Sequence, residues 1–174
     1  MAQLFSSQKQ LIYPLFGRFN QEYGDALVTI CPLLRKFEID ILTVEEYQAL
    51  PEGTPLIEDI TSQTFANFLQ KDGDTADTTR TAIIYNATLI EQIGFTEPEQ
   101  HAAIAHEIGH MLYFFLENKS DYPGPQGEEI YCDTIASRIG LSAPMLSALE
   151  KLETCGMFPN SLSRFGMRKV FLNH

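Results

Sequence analysis

Three cysteines in 174 residues, Cys31, Cys132 and Cys155, share no CxxC spacing and leave an odd thiol over. That argues against a disulfide framework and against a thiolate zinc knuckle, and it fits reduced thiols in a cytoplasm. Cations are scarce too: 12 Lys and Arg stand against 23 Asp and Glu, a formal net charge of −11. A molecule with that balance repels phosphate backbones and anionic headgroups, so neither nucleic acid nor a membrane is expected as a partner. The one locally basic piece, residues 164–169, reads as a solvated helix end. No apolar run nears the length of a membrane span. The opening MAQLFSSQKQLIYPLFGRF has none of the basic, apolar and small-residue segments of a secretory signal. Repeats and low-complexity tracts are also missing, and we expect one cytoplasmic domain over residues 1–174.

What is present is an ordinary globular composition, 44% apolar with 12 Phe and 7 Tyr. Leu11, Ile12, Leu15, Phe16 and Phe19 have helical spacing, and Pro14 predicts a helix interrupted or begun there. Residues 25–32 suit a strand or a buried turn. FEIDIL at 37–42 alternates as a half-buried strand does. Thr43 then opens a short helix, with Glu46 at capping-box spacing, that stops before Pro51. A loop over 51–55 follows, and 64–69 and 80–86 read as two strands of a hairpin around the polar turn KDGDTADTT. Thr96 caps the next helix, Pro98 is tolerated in its first turn and Glu99 completes a capping box, so a helix should run to about residue 117. Turn chemistry fills 118–127, helices are expected over 128–139 and 142–152, and a mixed tail packs on the body. The fold class is α+β, a small N-terminal mixed sheet with a hairpin followed by two site-bearing helices.

The first of those helices contains HEIGH, His106 to His110. At about 100° per residue the two histidines are separated by only about 40°, one turn apart, so both imidazoles can converge on one ion. Glu107 lies on the flank, beside the ion's open position, where a carboxylate can take a proton from water. Ile104, Ile108, Met111 and Phe115 form an apolar stripe on the opposite face. His101 points away from the pair and is rejected as a ligand. From this chain's own His and Glu content, such a pentapeptide arises by accident with a probability on the order of one in a hundred.

Two histidines need a third protein ligand, with one position left for water. A metzincin extension would need Gly at 113 and His at 116, where the chain has Tyr113 and Leu116. The alternative is a glutamate on the following helix. Glu129 and Asp133 share one face there, so Glu129 can ligate while Asp133 accepts the outer N–H of a liganding histidine. Glu128 points about 100° away and reads as solvated. Ala136 continues the face with a small side chain that lets the two helices approach, and Cys132 reads as a buried, inert thiol.

HEIGH, 18 intervening residues and then Glu129, Asp133 and Ala136 at E-x-x-x-D-x-x-A spacing resemble the gluzincin metallopeptidases, most of all the small cytoplasmic ImmA/IrrE-like family. The similarity covers roughly residues 80–141. It implies a zincin-like fold and a Zn2+-dependent endopeptidase acting on an intracellular protein or peptide, with His106, His110 and Glu129 as ligands and Glu107 as general base. The strand at 80–86 could be a sheet edge that pairs with an extended substrate. Tyr113, Tyr122, Tyr131, Arg164, Arg168 and His174 are all open as oxyanion donors. The competing function class is a catalytically inactive domain that keeps zinc and binds a peptide or partner.

Overall fold

A computed structural model describes residues 1–51, 59–72 and 75–174, with backbone alone between 70 and 80. The fold is α+β with a small mixed sheet, and the chain groups into two units, Met1–Leu89 and Ile90–His174. No helix among the described residues is long and apolar enough to cross a membrane.

The first unit contains α1 (Ser7–Ile12), α2 (Pro14–Ile30), β1 (Ile39–Thr43), α3 (Val44–Gln48), β2 (Phe65–Asp72) and β3 (Thr75–Tyr85). Pro14 opens α2 at its first position, where its missing N–H leaves no bond unmade. The helix then runs on to Ile30, through the stretch that locally suits a strand or turn. Phe16, Phe19, Asn20, Gly24, Leu27 and Val28 are buried at helical spacing, and packing of that face overrides the β-branched residues at its end.

The sheet order is β1-β3-β2, with β1 parallel and β2 antiparallel to β3. The strand containing residues 80–86 is therefore central, flanked on both sides, and is not the edge that β-addition would require. Its sequence gives the reason: Ala82, Ile83 and Ile84 are all buried, the continuous apolar run of a strand covered on both faces. The hairpin strands are longer than expected, pairing as far as Asp72 with Thr75 past an irregularity between Leu69 and Lys71. Threonines at 75, 78 and 79 suit extended backbone as well as a turn. The turn itself, 73–74, and most of the expected 51–55 loop lie outside the described residues.

The boundary between the units falls in α4 (Ala87–Ile93). The second unit adds α5 (Glu97–Phe114), α6 (Gly124–Arg138), α7 (Ser142–Thr154) and α8 (Leu162–Leu172). The Thr96 hydroxyl accepts the Glu99 N–H as an N-cap. The Glu99 carboxylate does not return to the cap: it is buried and takes Lys151 at 2.8 Å and the Ser147 hydroxyl at 3.1 Å from α7. A long-range ion pair outcompetes the local half of the capping box.

Helix α5 stops at Phe114, short of 117, because its last turn tightens: the Phe115 and Leu116 N–H groups bond the Leu112 and Tyr113 carbonyls. The Lys119 ammonium then takes the Leu116 carbonyl at 2.8 Å. Helix α6 starts earlier than the sequence suggests, at Gly124, whose φ of +69 a residue with a Cβ rarely adopts. Pro125 is tolerated in that first turn. The C-terminal tail is also a helix, α8, against α6 and α7.

Helices α5 and α6 approach closely at Gly109. A Cβ there would lie 2.7 Å from the Cα of Cys132, which is backbone and cannot rotate away. Gly109→Ala is expected to lower unfolding stability by about 1–3 kcal/mol in urea titration. Gly166→Ala in α8, where a Cβ meets nothing within 4 Å, should instead be neutral or stabilising, by up to about 1 kcal/mol. Equal effects from the two changes would show that the α5–α6 approach is not tight.

Candidate metal centre

His106 and His110 lie on α5 and face Glu128, Glu129 and Asp133 of α6. The pairing runs antiparallel, with His106 opposite Asp133 and His110 opposite Glu128. The core side of α5 is formed by Ile104, Ile108 and Met111, all fully buried. Phe115, expected to extend that stripe, is the C-cap and only half-buried. His101 is buried elsewhere on the helix, its Nε2 3.9 Å from the Glu97 carboxylate.

All four ring nitrogens face carboxylate oxygens. His106 Nδ1 is 2.8 Å from Asp133 Oδ1, and His110 Nδ1 is 2.9 Å from Glu128 Oε1. The Glu129 carboxylate spans the two rings, with Oε2 3.3 Å from His106 Nε2 and Oε1 3.4 Å from His110 Nε2. An ionised carboxylate only accepts, so His110 Nδ1 donates to Glu128 and, in a neutral ring, its Nε2 then presents a lone pair. His106 Nδ1 is met both by Asp133 Oδ1, which only accepts, and by Arg168 Nη2 at 3.1 Å, which only donates. The two Nε2 atoms and the Glu129 carboxylate thus lie together, with the Arg168 guanidinium 3.6 Å from Glu129 Oε2. Cationic charge there, from Arg168, from protons on the rings or from a metal ion, offsets the Glu129 carboxylate.

Ligand bonds of about 2.0–2.1 Å in a tetrahedron put neighbouring donor atoms about 3.3–3.4 Å apart; the Glu129 oxygens are each at that distance from one ring nitrogen, Oε2 from His106 and Oε1 from His110. The donor set, two imidazoles and one carboxylate, is one that zinc accepts.

The same contacts set the electrostatics of the two rings. Burial and the Arg168 charge oppose protonation of His106, but Asp133 and Glu129 outweigh them and hold its pKa above the ordinary value. Burial likewise opposes protonation of His110, and Cys132, Glu128, Glu129 and Glu107 reverse it. Glu129 is depressed, since the two imidazoles and Arg168 overcome its burial. The pocket therefore favours positive charge between its acceptors, and a metal binding there displaces protons. Glu107 is half-buried on the flank and near enough for its charge to raise His110.

Arg168 is the residue of this cluster whose place the sequence hides. It is 7% exposed, so the solvated reading of residues 164–169 fails for it, though Arg164 is exposed. Its Nε and Nη2 each donate to Asp133 at 2.8 Å, a two-pronged pair, and its Nη1 is 3.6 Å from Glu129 Oε2. The signal that could have found it is the burial of α8: Phe165, Arg168 and Leu172 recur at helical spacing, and Phe165 is also buried. The Tyr113 hydroxyl, another of the expected oxyanion candidates, donates to the Tyr122 carbonyl at 2.6 Å.

Two further residues depart from expectation. Glu128 is not simply solvated: its side chain is 34% exposed, but the carboxylate turns inward to His110. Cys132 is fully buried, and its thiol lies within 4.8 Å of ligand atoms of both histidines, the three making a group able to hold a metal. Burial pushes that thiol's pKa up to about 12 despite His110 beside it, so it remains protonated where no metal binds. Glu129, expected as the third ligand, is outside that group, but its two oxygens each meet one of the Nε2 atoms. No protein-family model, curated protein or solved structure matches this chain.

Proposed function

We propose that this chain is a zincin-like, gluzincin-type zinc metallopeptidase that hydrolyses peptide bonds in a cytoplasmic protein substrate. The observation that supports the proposal is that the Glu129 carboxylate bridges the two rings, one oxygen 3.3 Å from His106 Nε2 and the other 3.4 Å from His110 Nε2. His106, His110 and Glu129 would hold the ion, and zinc bound there would supply Lewis acidity towards a water and a peptide carbonyl. Glu107 would act as general base, accepting a proton from water and delivering it to the leaving amine. Asp133 fixes His106 in the tautomer that leaves Nε2 free, and Arg168 fixes Asp133.

A second reading, a zinc-keeping binding domain without catalysis, draws support from Cys132: a fourth protein ligand would close the site against water. The cobalt-substituted protein separates the two readings, because thiolate ligation gives an intense near-ultraviolet charge-transfer band and a His2Glu set does not. We expect one equivalent of zinc in protein purified without added metal, its loss in His106→Ala, and no cleavage of denatured casein after chelation until zinc is returned. His106→Ala retaining wild-type zinc would overturn the site, and cleavage unaffected by chelation would overturn the mechanism.

A further inference from the structure

We infer that Glu128 is a positioning residue for His110, resting on the metal reading above. The outer nitrogens of the two histidines are held by different residues in different settings. Asp133, which holds His106, is buried and clamped by Arg168. Glu128, which holds His110, stands at the rim, 34% exposed, with its Oε1 2.9 Å from His110 Nδ1.

The close approach of α5 and α6 makes this contact possible. At about 100° from Glu129 on the helix, Glu128 would face solvent if α6 lay farther from α5. Gly109 lets the Cys132 backbone come in, and a four-atom side chain then reaches the ring. Adjacent glutamates thus divide the work on one imidazole: Glu128 takes its Nδ1 and Glu129 faces its Nε2. With Nδ1–H donated to Glu128, His110 can present only the Nε2 lone pair to an ion, and its ring plane is fixed. A ring held by nothing at Nδ1 could rotate or adopt the other tautomer, and the ion would have to select the competent state.

The test uses the full chain and zinc itself, titrated against a chromophoric chelator, with His106→Ala as reference. Glu128→Ala is expected to weaken zinc binding about 10–100-fold, and Glu128→Gln, which keeps an acceptor oxygen, to recover most of that loss. Histidine-selective nitrogen–proton NMR of the zinc-loaded protein should show a slowly exchanging His110 Nδ1–H that Glu128→Ala speeds or abolishes while leaving the His106 signal in place. Weakening by His106→Ala with Glu128→Ala unchanged in affinity and in the His110 signal would overturn this inference alone. Undiminished zinc binding by His106→Ala would overturn the metal reading and the inference with it. Unfolding by Glu128→Ala would show as loss of both histidine signals, and Glu128→Met, which keeps the length of the side chain without an acceptor oxygen, would then decide: affinity loss and faster His110 exchange with wild-type fold support the inference, and wild-type values overturn it.

Discussion

Glu107→Gln is expected to lower the rate of peptide cleavage about 100- to 10,000-fold with zinc content unchanged. The amide keeps the shape of the side chain and its hydrogen-bonding oxygen but cannot accept a proton at neutral pH. Glu107 is on the same helix as both histidines and close enough to raise His110, while Glu128, Glu129, Asp133 and Arg168 make short contacts to the ring nitrogens. Removing its charge should therefore leave the ligand arrangement intact. The discriminating measurement is mass spectrometry of peptide products with the wild type and the variant side by side at equal zinc content. Wild-type cleavage by Glu107→Gln would take the base role from this residue, and loss of zinc would place it among the ligands instead.

Much of the candidate centre is legible in the sequence because it is written in local periodicity. His106 and His110 need only one helix to converge, and Glu129 and Asp133 need only a second helix to share a face. Legibility ends where long side chains or distant elements decide. Glu128 is a solvated residue on a helical wheel, and only the actual α5–α6 separation turns it to His110. Arg168 sits 35 residues beyond Asp133, and the helical recurrence of Phe165, Arg168 and Leu172 marks only a face of α8, not the partner its guanidinium will find.

The same division runs through the fold. Thr43 and Thr96 cap their helices as the sequence predicts, but the glutamates three residues on answer to remote partners: Glu46 to Lys9 and Tyr13, Glu99 to Lys151. The strand at 80–86 is recognisable as a strand, yet its central position depends on β1, about 40 residues earlier. Sequence patterns report which face of an element is apolar. They do not report which neighbour an edge or a charge will find.

The Arg168–Asp133 pair gives the largest expected effect on stability. Asp133 is 0% exposed, and apart from Arg168 its carboxylate is met by the His106 ring. Burial alone would raise its pKa, but His106 and Arg168 reverse that and hold it below the ordinary carboxylate value. Arg168→Met keeps the stem and deletes the charge, leaving a buried carboxylate with one partner in place of two. The expected cost is about 3–5 kcal/mol in urea or thermal unfolding, a large part of the total stability of a small domain. The double variant Asp133→Leu/Arg168→Met should recover most of that loss, because the penalty arises from an uncompensated charge rather than from the absence of the pair. It should not recover zinc affinity, since His106 has then lost the acceptor at its Nδ1, and binding about 10–100-fold weaker than wild type is expected. Stability restored with affinity still low would separate what Arg168 does for the fold from what Asp133 does for the site. If Arg168→Met instead unfolds within about 1 kcal/mol of wild type, the range of a surface ion pair, then the guanidinium is not the charge that makes a buried Asp133 tolerable, and its place in this arrangement falls.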